Sequence, residues 1–120
     1  MSKINIISNL KNIEDNSVNV INTDGELNLN KIIYKDENTL VTIFIKDNTI
    51  EIERDNLEYK LNMIFNKDKS YYTIYLKENN LNFSLDIELK KLTIQKNKIE
   101  INYKIDCEYL LTFMYNLKEW

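Results

Sequence analysis

The chain of 120 residues contains no histidine, no proline and no alanine, and only single copies of glycine, cysteine, tryptophan and arginine. Each absence removes a class of chemistry. Without histidine, and with Cys107 as the single thiol, neither a Ser-His-Asp nor a Cys-His arrangement can be assembled within one chain, and no Cys/His zinc site can form. One thiol also excludes an internal disulfide framework, and an unpaired cysteine fits a reducing cytosol, where it serves as a small core or turn residue. A nucleophilic thiol needs a basic neighbourhood, whereas Cys107 is flanked by Asp106 and Glu108, which keep its proton on. No apolar run is long enough to cross a bilayer, and the start from Met1 to Ile4 leads straight into polar-apolar alternation rather than the apolar core of a signal peptide. A cytoplasmic protein with no membrane partner is expected. The formal net charge of -3 gives no field that would draw in a polyanion, so no nucleic-acid partner is expected either.

What is present is alternation at period two, repeated along the whole chain, with no stretch that keeps apolar residues at three-and-four spacing over a helix length. The clearest run sets Leu81, Phe83, Leu85, Ile87 and Leu89 on one face against Asn82, Ser84, Asp86, Glu88 and Lys90 on the other, which predicts one buried and one wet face. The pattern recurs at Ile99, Ile101, Tyr103 and Ile105, and at Tyr59, Leu61, Met63 and Phe65. Further runs span residues 3–10, 18–22, 26–34, 39–46, 49–54, 71–77 and 109–117. Short polar connections separate them, at Asp24-Gly25, Asp47-Asn48, Asp55-Asn56, Asn66 to Lys69, Glu78 to Asn80 and Lys96-Asn97. In a chain almost without glycine, asparagine and aspartate are the residues that best tolerate the positive φ of tight hairpins. Between Leu89 and Leu92 the phase inverts, and Lys90-Lys91 supplies the odd step, which predicts a bulge or corner.

Short turns imply antiparallel neighbours, and with no helix to cover a sheet face the strands must close on themselves. The expected fold is all-β: residues 1–120 form one antiparallel meander β-barrel of about eight to ten strands, preferred over a sandwich because few of the loops are long enough to cross between sheets.

From Thr39 to Ile105 the order of features resembles the YwiB-like proteins, small bacterial proteins of unknown function with a lipocalin-like, or calycin, β-barrel. The matching segments are Thr39 to Ile43, Ile50 to Arg54, Met63 to Phe65, Tyr71 to Thr73, the Leu81 to Leu89 strand and Lys98 to Tyr103. Where that family tends to place a glycine after the arginine and a Pro-aromatic-Gly turn after the Tyr-x-Thr element, this chain has Asp55-Asn56 and a continuation from Ile74 to Asn80. The resemblance implies a calycin-like fold and a bacterial, cytoplasmic setting; it brings no catalytic residues and no cofactor.

Candidate sites are few. Asn22 to Gly25 hints at a calcium loop, but with Gly25 in sixth position the first and twelfth would be Val20 and Lys31, which supply no carboxylate, so a tight turn is the better account. Arg54 continues the inward phase of Ile50 and Ile52 at a strand end, which places it at a barrel mouth. Its guanidinium either anchors a carboxylate or phosphate ligand or makes a structural ion pair with a nearby Asp or Glu. Tyr59, Tyr103, Tyr109 and Tyr115 lie on apolar phases, as core rings or as the lining of a pocket. Arg54, Tyr59, Tyr103 and Tyr115 are therefore the candidate ligand contacts. The interior phases are so rich in large side chains that a filled barrel with a small pocket near one mouth is expected. Glu51/Glu53, Asp86/Glu88 and Asp106/Glu108 are the one acid-base resource left, and all three pairs fall on wet phases, so no catalysis and no metal or other cofactor is expected. Apolar residues on both faces of 39–46 and 109–117 call for cover by the N-terminal segment or a second subunit. Two roles follow: a small-ligand binding barrel for an anionic or amphipathic molecule, or a solid-core module that binds a protein or a second copy of itself.

Overall fold

In the computed structural model, which describes residues 2–118, ten strands follow one another in chain order. They are β1 (Ser2–Asn12), β2 (Val18–Asn28), β3 (Lys31–Asp36), β4 (Thr39–Lys46), β5 (Thr49–Asp55), β6 (Tyr59–Asn66), β7 (Ser70–Leu76), β8 (Leu81–Gln95), β9 (Lys98–Ile105) and β10 (Cys107–Leu117). Every strand pairs antiparallel with its neighbours in sequence, and β1 pairs with β10, so the sheet closes into a meander barrel. No helix occurs among the described residues. The all-β meander expected from period-two alternation is the architecture adopted.

Turn chemistry accounts for the connectivity. Among the described residues seven non-glycine residues have positive φ, and five of them are Asn16, Asn48, Asn80, Asn97 and Asp106, in the loops where asparagine and aspartate are cheapest. Leu29 and Glu37 are the exceptions. The expected turn at Asp24-Gly25 does not exist: Gly25 lies inside β2, facing Ile4 on β1 and Tyr34 on β3, and its φ is not left-handed. The chain turns instead at Leu29-Asn30, which splits the run read across residues 26–34 into the end of β2 and β3. Gly25 serves close approach: a β-carbon there would sit 2.6 Å from Ile6 Cδ1 and 2.7 Å from the Ile33 carbonyl oxygen. The phase inversion after Leu89 is a register shift between Leu89 and Lys91 against β9, the bulge expected at Lys90-Lys91.

The two ends of the barrel differ. At the end where β1 begins and β10 finishes, with the β2–β3, β4–β5, β6–β7 and β8–β9 turns, the interior is packed on Ile4, Ile32, Ile50, Phe65 and Ile99, each essentially without exposure, below an open depression lined by Asn30, Lys46, Asp47, Asn48, Ile45 and Ile94. Toward the other end the wall opens at two seams. β3 pairs with β2 only from Gly25 onward, leaving Val18–Asp24 attached to β1 alone, and β9 pairs with β8 only from Glu88, leaving Leu81–Ile87 attached to β7 alone. This corrects the expectation for the clearest alternating run. Leu81, Phe83 and Leu85 do hold the inward phase, facing Leu76, Ile74 and Tyr72 on β7, but among the described residues no strand pairs with them on the other side and they are 45%, 49% and 52% exposed. The cover expected for the two-faced strands also takes another form. The N-terminal strand covers the edge of β10 through backbone pairing rather than its outer face, and Lys31 lies over the outward Phe44 ring at 5.7 Å.

Candidate functional site

The splayed end holds a cavity of about 350 Å³, within the range of small-molecule sites. Seven strands contribute to it, and the inward phase of each supplies the lining. Leu10, Ile21, Ile43, Ile52, Leu61 and Met63 form apolar walls, and Leu111 and Phe113 complete them from β10. The polar points are Ser8, Asn19, the Tyr34 phenol and the pair Asp36 and Arg54. The part of β2 that has left β3 borders the hollow through Asn19 and Ile21.

Arg54 stands one residue before the end of β5 on the inward phase, as its sequence position requires, and meets Asp36 from the end of β3 across the intervening β4. Its Nη2 donates to Asp36 Oδ2 at 3.0 Å, with both side chains about one-quarter exposed. Burial works against the guanidinium charge, but the hydrogen bonds to Asp36 and to Tyr59 outweigh it and hold the pKa above the ordinary value. Of the two roles read for Arg54, the ion pair is therefore present, and it stands in the cavity wall. Asp36, whose partnership could not be read from the sequence, is its counterion.

Tyr34 is the tyrosine of this site that period and spacing did not single out. It is 7% exposed, its ring packs against Phe113 at 6.1 Å between centroids, and burial pushes its phenol up to about 12. Arg54 pulls that value down and Asp36 raises it again, which places the phenol within the field of the pair. At neutral pH Tyr34 is thus an uncharged hydroxyl in the cavity wall, able both to donate and to accept.

The four residues named from sequence separate along the barrel axis. Arg54 lines the cavity, whereas Tyr59, half-buried at the start of β6, is not among the residues that line it. Tyr103 lies in the packed interior, 6% exposed, with its ring 5.0 Å from Phe65 and 5.5 Å from Tyr109, and burial pushes its phenol to about 12. Tyr115 sits toward the packed end, against Phe113 at 6.1 Å, with its backbone N–H donating to the Asn97 carbonyl. Neither Tyr103 nor Tyr115 is among the residues lining the cavity.

The remaining reactive groups lie at the rim or on the surface. The Cys107 thiol is pushed above its ordinary value first by its hydrogen bond with Glu14, then by desolvation and by Glu14's charge, so it remains a thiol. Glu108 accepts from Lys90 Nζ at 2.8 Å and from Asn102 Nδ2 at 3.1 Å, and these two hydrogen bonds, in that order, hold its carboxyl below the usual range. Glu53 pairs with Lys60 at 3.2 Å. No group of three or more Cys, Asp or Glu side chains suited to a metal ion is gathered among the described residues.

No protein-family model matches the chain, and no curated protein matches it. Among solved structures, the crystal structure of the YwiB protein from Bacillus subtilis is similar to it, with 15% sequence identity, a TM-score of 0.72, and coverage of 98% of this chain and 91% of that one. At that identity the likeness is one of fold. The barrel implied by the resemblance of residues 39–105 to the YwiB-like proteins is thus the barrel the chain forms, and it shares that fold with YwiB along nearly its whole length.

Proposed function

We propose that the protein is a non-catalytic binding barrel, cytoplasmic in setting, that takes a small amphipathic molecule into the splayed end of its interior. The observation that carries this reading is a cavity of about 350 Å³ with apolar walls and the Arg54–Asp36 pair among its polar points. Apolar walls favour an apolar body through loss of water contact, while a few placed polar groups fix the orientation. Because Asp36 already neutralises Arg54, the head group that fits best offers an acceptor to the guanidinium and a donor to the carboxylate. An amide or an un-ionised carboxylic acid does both, whereas a bare anion meets Asp36 as a like charge. Of the two ligand chemistries expected from sequence, the geometry therefore favours the amphipathic one.

Native mass spectrometry of protein purified without denaturation tests the reading directly, since a resident ligand adds mass that unfolding removes. Titration calorimetry with decanamide supplies a defined probe. The wild type is expected to bind one equivalent, and Ile21→Trp, which fills the cavity from the loosely held part of β2, is expected to abolish binding while leaving the circular dichroism unchanged. A clean chain mass together with no decanamide uptake, or uptake indifferent to Ile21→Trp, would sink the proposal.

A further inference from the structure

The part of β8 from Leu81 to Ile87 pairs with β7 on one side and, among the described residues, with no strand on the other. Such an edge carries a row of backbone N–H and C=O groups ready to pair, and soluble proteins ordinarily blunt it with lysine, proline or a bulge. None of these lies within the segment. Its one charged side chain is Asp86, and the bulge falls beyond it, between Leu89 and Lys91. Its inward face is bare as well, with Leu81, Phe83 and Leu85 each about half exposed.

We infer that this edge is an isologous interface, on which the same segment of a second copy pairs antiparallel about a twofold axis at Ser84. Complementarity along the segment selects the occupant. Centred on Ser84, the pairing uses the whole free length and sets Leu81 against Ile87 of the second copy and Phe83 against Leu85, so the two bare apolar stripes join on one face. On the other face Asn82 meets Asp86 of the second copy and Ser84 meets itself, so no like charges are opposed. A shift of one residue would set apolar against polar side chains, and a shift of two shortens the ladder. The result is one sheet running β6–β7–β8 across the axis into β8–β7–β6 of the second copy.

The free edge of β2 does not offer the same match. Its inward phase is Asn19, Ile21 and Thr23 and its outward phase Val18, Val20, Asn22 and Asp24, so neither face carries apolar side chains along the whole free length, and Asp24 at its end is held by Lys118 Nζ at 2.8 Å. β8 is thus the edge with both open backbone and an apolar stripe to cover.

Sedimentation equilibrium of the full chain over a wide concentration range, with two outward-facing substitutions, tests the geometry. Ser84→Asp places carboxylates face to face at the axis and is expected to weaken dimerisation roughly fivefold or more, whereas Asn82→Lys faces Asp86 of the second copy and is expected to tighten it by about the same factor. Opposite shifts from two exposed, neighbouring sites are not produced by a general loss of stability, which circular dichroism checks. In a Cys107→Ser background, Ser84→Cys is also expected to form an intermolecular disulfide under copper–phenanthroline, because directly opposite antiparallel residues lie about 4.5–5.5 Å apart at Cα, and Asn82→Cys is not. A chain that stays monomeric at every concentration overturns the proposal. So does a dimer indifferent to both charge substitutions.

Discussion

Alanine in place of Gly25 is expected to destabilise the protein through three close contacts, two of them under 3.0 Å and of different kinds. The added β-carbon would fall 2.6 Å from Ile6 Cδ1, 2.7 Å from the Ile33 carbonyl oxygen and 3.1 Å from Tyr34 Cβ. The Ile6 terminus can turn aside, but the Ile33 carbonyl belongs to a strand paired on both sides, with β2 and with β4, and cannot move without its neighbours. Backbone conformation gives no penalty, because Gly25 is not in the left-handed region. Alanine even stiffens the unfolded chain, which favours folding by about 0.4–1 kcal/mol. Overpacking costs about 1–3 kcal/mol, so the net loss is about 1–2 kcal/mol. With an unfolding entropy of ~250 cal/mol/K for a chain of this size, Tm falls by roughly 4–8 °C, readable in far-ultraviolet circular dichroism melts. Ile6→Val deletes the very atom at 2.6 Å, so in the Gly25→Ala background it should cost less than it does alone, with a coupling of about 0.5 kcal/mol or more. A Tm for Gly25→Ala equal to or above that of the wild type would refute the packing account, and simple additivity of the two substitutions would refute its Ile6 half.

Other expectations follow from single positions. Leu29 holds a φ of 58° while almost fully exposed, so Leu29→Gly relieves backbone strain without loss of burial and should stabilise by about 1 kcal/mol in urea unfolding; a fall in midpoint would count against it. Phe65→Ala empties a fully buried site and should cost about 3–5 kcal/mol, whereas Leu57→Ala, at a site 95% exposed, should stay within about 0.5 kcal/mol. Tyr34 and Tyr103 have phenols raised from 10.0 to about 12, so the folded state keeps these protons longer than the unfolded one. That stabilisation is complete below pH 10 and is lost as pH climbs through 12, at about 3 kcal/mol for each group. Absorbance at 295 nm should show two of the tyrosines ionising late, together with unfolding, and titration of all eight near pH 10 in a folded chain would refute the point.

Alternation told which residues face inward, and it did so correctly for Arg54, Tyr59, Tyr103 and Tyr115. It did not tell how high along the axis each stands, because strand tilt and stagger set that height. Arg54 therefore arrived at the cavity and Tyr59 stopped short of its lining, while Tyr103 and Tyr115 came to rest lower in the barrel, and Tyr34 and Asp36 entered from β3 unannounced. The same limit explains Leu81, Phe83 and Leu85: their phase was legible, but β9 ends too early to cover them, and strand length depends on where the chain chooses to turn. At Gly25 the reading failed for a different reason. A lone glycine suggests a turn, yet here the missing side chain makes room for Ile6 and Ile33, and the turn falls on Leu29, a residue whose type gives no such signal.

The pairing of β1 with β10, which matches Ile4 to Leu117, means that the ring is sealed by the two strands farthest apart along the barrel sequence. During synthesis the first strand leaves the ribosome long before the last, so the nascent sheet grows one hairpin at a time with two open sides and a half-solvated interior. Closure waits for translation of the final strand, and its long loop-closing distance makes it a slow step. A barrel that lacks β10 would keep those open sides permanently, and such open edges invite pairing between chains.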